Sequence, residues 1–327
     1  MIATIARRVA GSLGVLVLSS MVIFVIVTLS GDPLADLRDR QPPVPEEVIQ
    51  AESHRLGLDR PLPARYLSWV LGLFRGYLGP SVVPSRDLAH ELSSRIAVTM
   101  TLVVVAIVLA FLLSLLAGTI SALHQRRWPD LLLTPMAFIM FALPSFWLAV
   151  LLKQWGIGIN QLTGFQIFAT IGSSSVPQPE GFFPRLADTA AHLLLPTVVL
   201  TMVHFAVWSR YQRTAVAESL AGDHVRFAVM NGLPRRRIVR SYVMRPALVP
   251  IITIVALDLP TMFSGVIITE MVFQWRGMGS FLLESITIRD TNAVLAWLLV
   301  TATAVVLFNL LADILYAVFD PRVRNAA

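Results

Sequence analysis

The chain has no cysteine and only one lysine, Lys153, among its 26 basic residues. The first absence excludes disulfide scaffolds, thiolate metal sites and cysteine nucleophiles. The second excludes a nucleotide-binding P-loop, because a Walker A motif needs Gly-Lys-Ser/Thr so that its lysine reaches the β- and γ-phosphates. Lys153 lies between Leu152 and Gln154, so any ATP hydrolysis must take place on another polypeptide. Charge is scarce too. Asp, Glu, Lys and Arg make up 14% of the 327 residues, against about a quarter in soluble domains. The six histidines are dispersed and form no H-E-x-x-H pattern, so no metal site is expected.

What remains is apolar: 56% of the residues are hydrophobic and the mean hydropathy is +0.71. Much of the surface must therefore face lipid. The formal charge of +6 and pI near 10.4 would suit nucleic acid only if the arginines formed a globular basic stripe. They fall instead between apolar runs, so no nucleic-acid partner is expected.

A transmembrane helix needs about 20 apolar residues to cross about 30 Å of hydrocarbon. Val9 to Ser30, Ile96 to Leu123, Leu131 to Leu152 and Thr189 to Ser209 meet that length without Asp, Glu, Lys or Arg. Pro246 to Thr269 is interrupted only by Asp258, and Thr291 to Phe319 only by Asp313. The expected fold is an all-α, polytopic bundle of six transmembrane helices. The first run follows Arg7 and Arg8 as a signal peptide would. It exceeds the roughly 7–15 residues of a signal core and lacks an Ala-x-Ala site, so it is read as a retained anchor.

Arginine placement sets the expected orientation, since cytoplasmic segments keep positive charge. With the N-terminus inside, the inner segments hold fourteen arginines against Asp130, Glu218, Asp223 and Asp320, while the outer ones are slightly acidic. Both termini are then cytoplasmic. Residues 1–30 form the first helix and 31–94 an extracytoplasmic cap of short helices, broken at Leu58-Asp59-Arg60-Pro61 where proline prevents continuation. The remaining spans make one membrane domain over 95–319, and 320–327 are a cytoplasmic tail. Gln154 to Asp188, rich in glycine, serine and proline, is expected to be a loop. Its Gly172-Ser173-Ser174 lacks the base and rigid elbow that a nucleophilic serine needs.

The inner loop 211–245 carries the most information. Asp223 suits a helix N-cap, His224 to Asn231 can form two turns, Gly232 supplies a left-handed terminator and Pro234 suits the next first turn. So short a helix is marginal alone, yet Val225, Phe227, Ala228, Val229 and Met230 make it apolar. It either packs on its own bundle or lipid, or inserts as a knob into a groove on a cytoplasmic partner.

This loop resembles the EAA loop of ABC importer permeases of the oligopeptide/dipeptide branch, matching at Glu218, Leu220, Asp223, Val225, Arg226, Ala228, Gly232 and Leu233. Arg7-Arg8, Gly31-Asp32-Pro33, Leu56 to Val70, Pro144-Ser145-Phe146-Trp147 and Asn309 to Arg324 resemble other signatures of the same branch. His224, Phe227, Val229 and Asn231 depart from the usual coupling-segment residues, and Arg276 replaces a proline in the outer motif Thr269 to Gly279. The resemblance implies a type I ABC importer transmembrane domain, one half of a path for short peptides, without enzymatic activity. It implies a second homologous permease, cytoplasmic ATPase subunits that bind ATP and Mg, and an extracytoplasmic substrate-binding protein. No cofactor would be bound by this chain. Glu218, Asp223, His224, Val225, Phe227, Ala228, Gly232 and Leu233 would couple to the ATPase. Nickel complexes or glutathione are alternative cargoes of the same permease pattern, and an ion-coupled secondary transporter is the competing class.

Asp258 lies about 18 Å into the fifth span at 1.5 Å per residue. Intramembrane charges face a bundle interior or a cavity, so Asp258 is either paired structurally or lines the path with Thr261 and Met262. Asp313 lies nearer the inner end and reads as structural. His192 and His204 read as packed bundle residues.

Overall fold

The computed structural model describes residues 2–319, excepting the side chains of 2–9, 263–265 and 313–319. Arg7, Arg8 and Asp313 are therefore outside the described side chains, and the C-terminal motif from Asp320 onward is outside the described residues. Thirteen α-helices are present among the described residues, with no strand: α1 Ile2–Leu29, α2 Ala35–Arg38, α3 Glu46–Arg55, α4 Leu62–Leu73, α5 Leu88–Leu123, α6 Trp128–Ala142, α7 Ser145–Thr163, α8 Phe182–Ala221, α9 Asp223–Met230, α10 Arg235–Arg237, α11 Met244–Phe273, α12 Met278–Thr287 and α13 Thr291–Phe319. A π-helical turn, Ile238–Val243, joins α10 to α11.

Five helices are individually long and apolar enough to span a membrane, and α6 with α7 makes a sixth candidate bent by 104°. The expected straight span Leu131 to Leu152 is corrected at this bend. Pro144 lacks an N–H and forces its predecessor out of the α region; Leu143 is extended at φ −81°, ψ 126°. Hydropathy is blind to such a break, because both arms remain apolar.

The helix α7 also runs to Thr163 and α8 begins at Phe182, so of the expected loop Gln154 to Asp188 only 164–181 is non-helical. Gly156 does not break the helix. It lets α8 approach, since a Cβ there would lie 2.9 Å from Leu195 Cδ1. Gly164, at φ 70°, supplies the left-handed end. The loop is tied down by Asn160, whose amide receives Phe168 N–H and donates to Phe168 O at 2.9 and 2.8 Å. Lys153 Nζ donates to Val272 O at 2.6 Å, placing the one lysine on the carbonyl end of α11.

The chain divides into two compact units. In the first, 1–99 with 276–306, Phe24 of α1, Trp69 of α4 and Leu295 of α13 share a core. Short helices α3 and α4 flank Pro61, as the sequence pattern requires. Asp290 caps α13 by accepting Ala293 N–H at 3.1 Å and also accepts the Ser81 hydroxyl. Arg95 joins Glu91 and Glu284 at 2.9 and 3.0 Å.

In the second unit, 100–275 with 307–327, α8 is the axis against which α6, α7 and α11 pack. Leu195 and Val199 meet Leu148, Ala149 and Phe273; farther along, Trp208 meets Ala110, Ile251 and Met262. Backbones come close at Gly118 of α5, where a Cβ would lie 2.6 Å from Ser209 O and 2.9 Å from Arg213 N. Backbone cannot yield as a side-chain tip can. Gly118→Val should destabilise the unit by about 1–3 kcal/mol or more through overpacking, while Gly158→Ala, with nothing within 4 Å, should be neutral or stabilising by up to about 1 kcal/mol. Thermal unfolding of the detergent-solubilised variants measures both.

Candidate functional site: a short helix clamped between two long ones

Helix α9 is eight residues long and has two unlike faces. Val225 and Ala228, 6% and 1% exposed, belong to a core with Ala215 and Val216 of α8, Ile238 and Val243 of the π turn and Ala247 of α11. Phe227, Val229 and Met230 point away, 65%, 59% and 78% exposed. The two accounts of this helix thus apply to different residues. The inner face packs on its own bundle, and the outer face offers three large apolar groups to something else.

Both ends of α9 differ in how well they follow from residue types. Gly232 adopts φ 71° and ends the helix, with Leu233 N–H bonding to Ala228 O and Gly232 N–H to Val229 O; this pair of bonds is the Schellman pattern. Leu233 folds back against the core. At the other end the expected N-cap is corrected: Gly222 is the cap and Asp223 the first helical residue. A Cβ on residue 222 would meet the His224 ring at 2.5 Å, so the imidazole occupies the space beside the cap. Asp223 keeps a favourable position at the positive helix end, and its exposed carboxylate lies 3.4 Å from Arg226 Nη1.

His224 does not face outward with Phe227. Its Nε2 is 3.0 Å from Tyr242 O and 3.4 Å from Ser219 Oγ. Ser219 Oγ donates to Val243 O at 3.0 Å. Tyr242 and Val243 close the π turn, and Tyr242 O has no α-helical donor because residue 246 is proline and lacks an N–H. A serine from α8 and a histidine from α9 therefore grip the backbone at the root of α11. Glu218, one residue before Ser219, is exposed on α8.

A second fastening has no counterpart in the sequence reading beyond its charge count. Arg213 of α8 donates to Asp130 of α6 from Nε at 2.7 Å and Nη2 at 2.9 Å. The same carboxylate accepts Arg126 N–H at 2.9 Å, Thr134 Oγ1 at 3.0 Å and the Ser121 hydroxyl. Five donors thus join α5, the α5–α6 turn, α6 and α8, two and a half turns before α8 ends. The fork-to-fork geometry holds direction as well as charge.

Of the expected path residues, Asp258 is half-buried and accepts the Trp208 indole N–H at 2.6 Å. This is the intrasubunit pairing that the sequence left open. Thr261 is exposed, and its hydroxyl donates to Asp258 O at 2.7 Å. Met262, at 2% exposure, packs with Trp208 in the core. Ser175, Asp188 and His192 do meet, but Ser175 Oγ donates to Asp188 at 2.6 Å and His192 contacts Asp188, not the serine. The imidazole does not face that hydroxyl, so no serine–histidine pair is set up. No cluster of metal-ligating side chains occurs among the described residues.

Residues 114–325 match the family described as binding-protein-dependent transport system inner membrane component, and 1–102 match its N-terminal component. The chain belongs to the binding-protein-dependent transport permeases. It is 36% identical to the oligopeptide transport system permease protein OppB of Mycobacterium tuberculosis, over 98% of each chain. It is 32% identical to the di/tripeptide transport system permease protein DppB of Pseudomonas aeruginosa, over 99% of each. A solved amino acid ABC transporter with histidines shares the fold at a TM-score of 0.52 and 11% identity, covering 69% of this chain and 92% of that one. A permease of this family is a multi-pass membrane protein and a transport subunit.

The Asp130–Arg213 pair generates a direct expectation. Removing one partner leaves the other charge poorly solvated, so Arg213→Met should cost about 3 kcal/mol of stability. Restoring an apolar match with Asp130→Leu in the same chain should recover part of that loss. Denaturation of the single and double variants in detergent provides the cycle.

Proposed function

We propose that this permease forms half of the path by which short peptides enter a bacterial cell, driven by separate ATPase subunits that dock on α9. The peptide cargo is supported by the names of the relatives above, and nickel complexes or glutathione are less favoured cargoes for the same machinery. The observation that carries the docking assignment is the division of α9: Val225 and Ala228 seat it, whereas Phe227, Val229 and Met230 stand uncovered. Burying each of these large side chains is worth about 1.5–3 kcal/mol, so a groove that accepts all three is a strong holdfast.

The coupling set accordingly has two parts. Phe227, with Val229 and Met230, contacts the ATPase, and Glu218 and Asp223 border that contact. His224, Val225, Ala228, Gly232 and Leu233 hold α9 in shape against α8 and the π turn. Movement of α9 is passed to the root of α11 through Ser219 and His224, and α11 carries Asp258 and Thr261 to the translocation path. The remaining parts of the assembly are a second homologous permease and an external binding protein, with both termini of this chain cytoplasmic, residues 31–94 as the outer cap and 320–327 as an inner tail. ATP and Mg belong to the ATPase subunits, and no cofactor is assigned to this chain.

The double substitution Phe227→Ser and Met230→Ser leaves the buried face untouched. It should insert normally and unfold at the wild-type temperature while retaining about one tenth or less of the co-purifying ATPase, the scale expected from losing about 1.4 kcal/mol or more of binding. Undiminished co-purification and uptake would remove α9 as the docking element.

A further inference from the structure

The first unit contains a cavity of about 250 Å³ whose wall includes Phe24 of α1, Arg55 of α3, Arg60, Arg65 and Trp69 of α4 and Tyr77. No carboxylate lines it. Its three guanidinium groups are not equivalent. Arg55 is occupied, donating to Glu52 at 2.8 and 2.5 Å and to Ser81 O at 2.7 Å. Arg60 and the half-buried Arg65 have no acidic partner among the described residues.

The position of α4 makes this positive charge informative. Tyr66 and Ser20 of α1 share a hydrogen bond at 2.8 Å, and the Phe24 ring lies 5.3 Å from Tyr66 and 5.9 Å from Trp69. Ser20 precedes the end of α1 by nine residues, about 13 Å along the helix, which is within one leaflet of a hydrocarbon core about 30 Å thick. The side of α4 turned away from this contact carries Leu67, Leu71 and Phe74, exposed by 60%, 62% and 86%. A helix apolar on both sides, bearing tyrosine, tryptophan and arginine, has the chemistry of a membrane-interface element. An arginine at that level requires an anion.

We propose that the cavity holds the phosphate of an anionic phospholipid headgroup, paired with Arg65 and Arg60, while the acyl chains enter the surrounding bilayer. The volume favours a headgroup over a peptide, since sites that enclose drug-sized ligands measure about 300–1,000 Å³. The charge excess selects an anionic headgroup over a zwitterionic one. The inference rests on α1 spanning the bilayer and is independent of the peptide assignment.

The test is native mass spectrometry of the intact transporter released from nanodiscs of phosphatidylglycerol and phosphatidylcholine. Wild type should retain phosphatidylglycerol at this subunit, and the Arg60→Gln, Arg65→Gln double variant should retain about tenfold less, with Arg75→Gln as an unaffected control. Added phosphatidylglycerol should raise the unfolding temperature of the wild type but not of the double variant, and the two should unfold alike without it. Equal retention by the double variant, equal retention of phosphatidylcholine, or displacement of the lipid by millimolar inorganic phosphate would each overturn the proposal. So would loss of external binding-protein association by the double variant in lipid-free detergent, which would identify the occupant as a protein carboxylate. Uptake plays no part in these readouts, so failure here leaves the transport reading standing.

Discussion

Two backbone carbonyls at the foot of α11 hold the short helix α9 against its bundle. The α-helical donor for Tyr242 O would be residue 246, a proline without an N–H, so that carbonyl is left to His224, while Val243 O accepts the Ser219 hydroxyl. A hydrogen bond to backbone, unlike an apolar contact, has a fixed direction and loses strength steeply when bent. The short helix is consequently fastened at both ends of its inner face, by the Val225–Ala228 packing and by these bonds. Eight residues that would be marginal alone become a rigid projection.

The same logic governs polar groups farther up the bundle. Asp130 collects donors from three helices and a turn, so the ends of α5, α6 and α8 are held in one arrangement. Gly118 allows backbone-to-backbone approach between α5 and α8 just beside this site. Asp258 and Trp208 repeat the pattern with a neutral donor. The Asp130 and Asp258 carboxylates each have named partners, as a low-dielectric setting demands, and the Arg213–Asp130 and Trp208–Asp258 bonds each join different helices. Motion at the foot of α11 therefore reaches a segment already connected by side chains to α8.

Much of this was legible in the residues because it depends on local chemistry. Gly232 terminates α9, Pro61 separates α3 from α4, and apolar length identifies the spans. Other features depend on neighbours distant in sequence. Arg213 and Asp130 are 83 positions apart and Trp208 and Asp258 are 50 apart, so neither pairing has a local signature. Gly156 resembles a loop residue until Leu195 is placed against it. Asp223 satisfies every compositional rule for an N-cap, yet the His224 ring decides the matter by folding over Gly222. The bend at Pro144 had a signal, the proline itself, that hydropathy alone outweighed.

The account makes α9 and the root of α11 one mechanical body, with flexibility lying elsewhere. Because the chain has no cysteine, spin labels can be placed at will, and Val229 and Arg245 are both exposed. The decisive measurement is the distance distribution between labels on Val229→Cys and Arg245→Cys in the assembled transporter, without nucleotide and with ATP bound. An unchanged distribution across the cycle is predicted. A shift beyond the width of the labels themselves would show α9 sliding on the π turn and contradict the rigid relay.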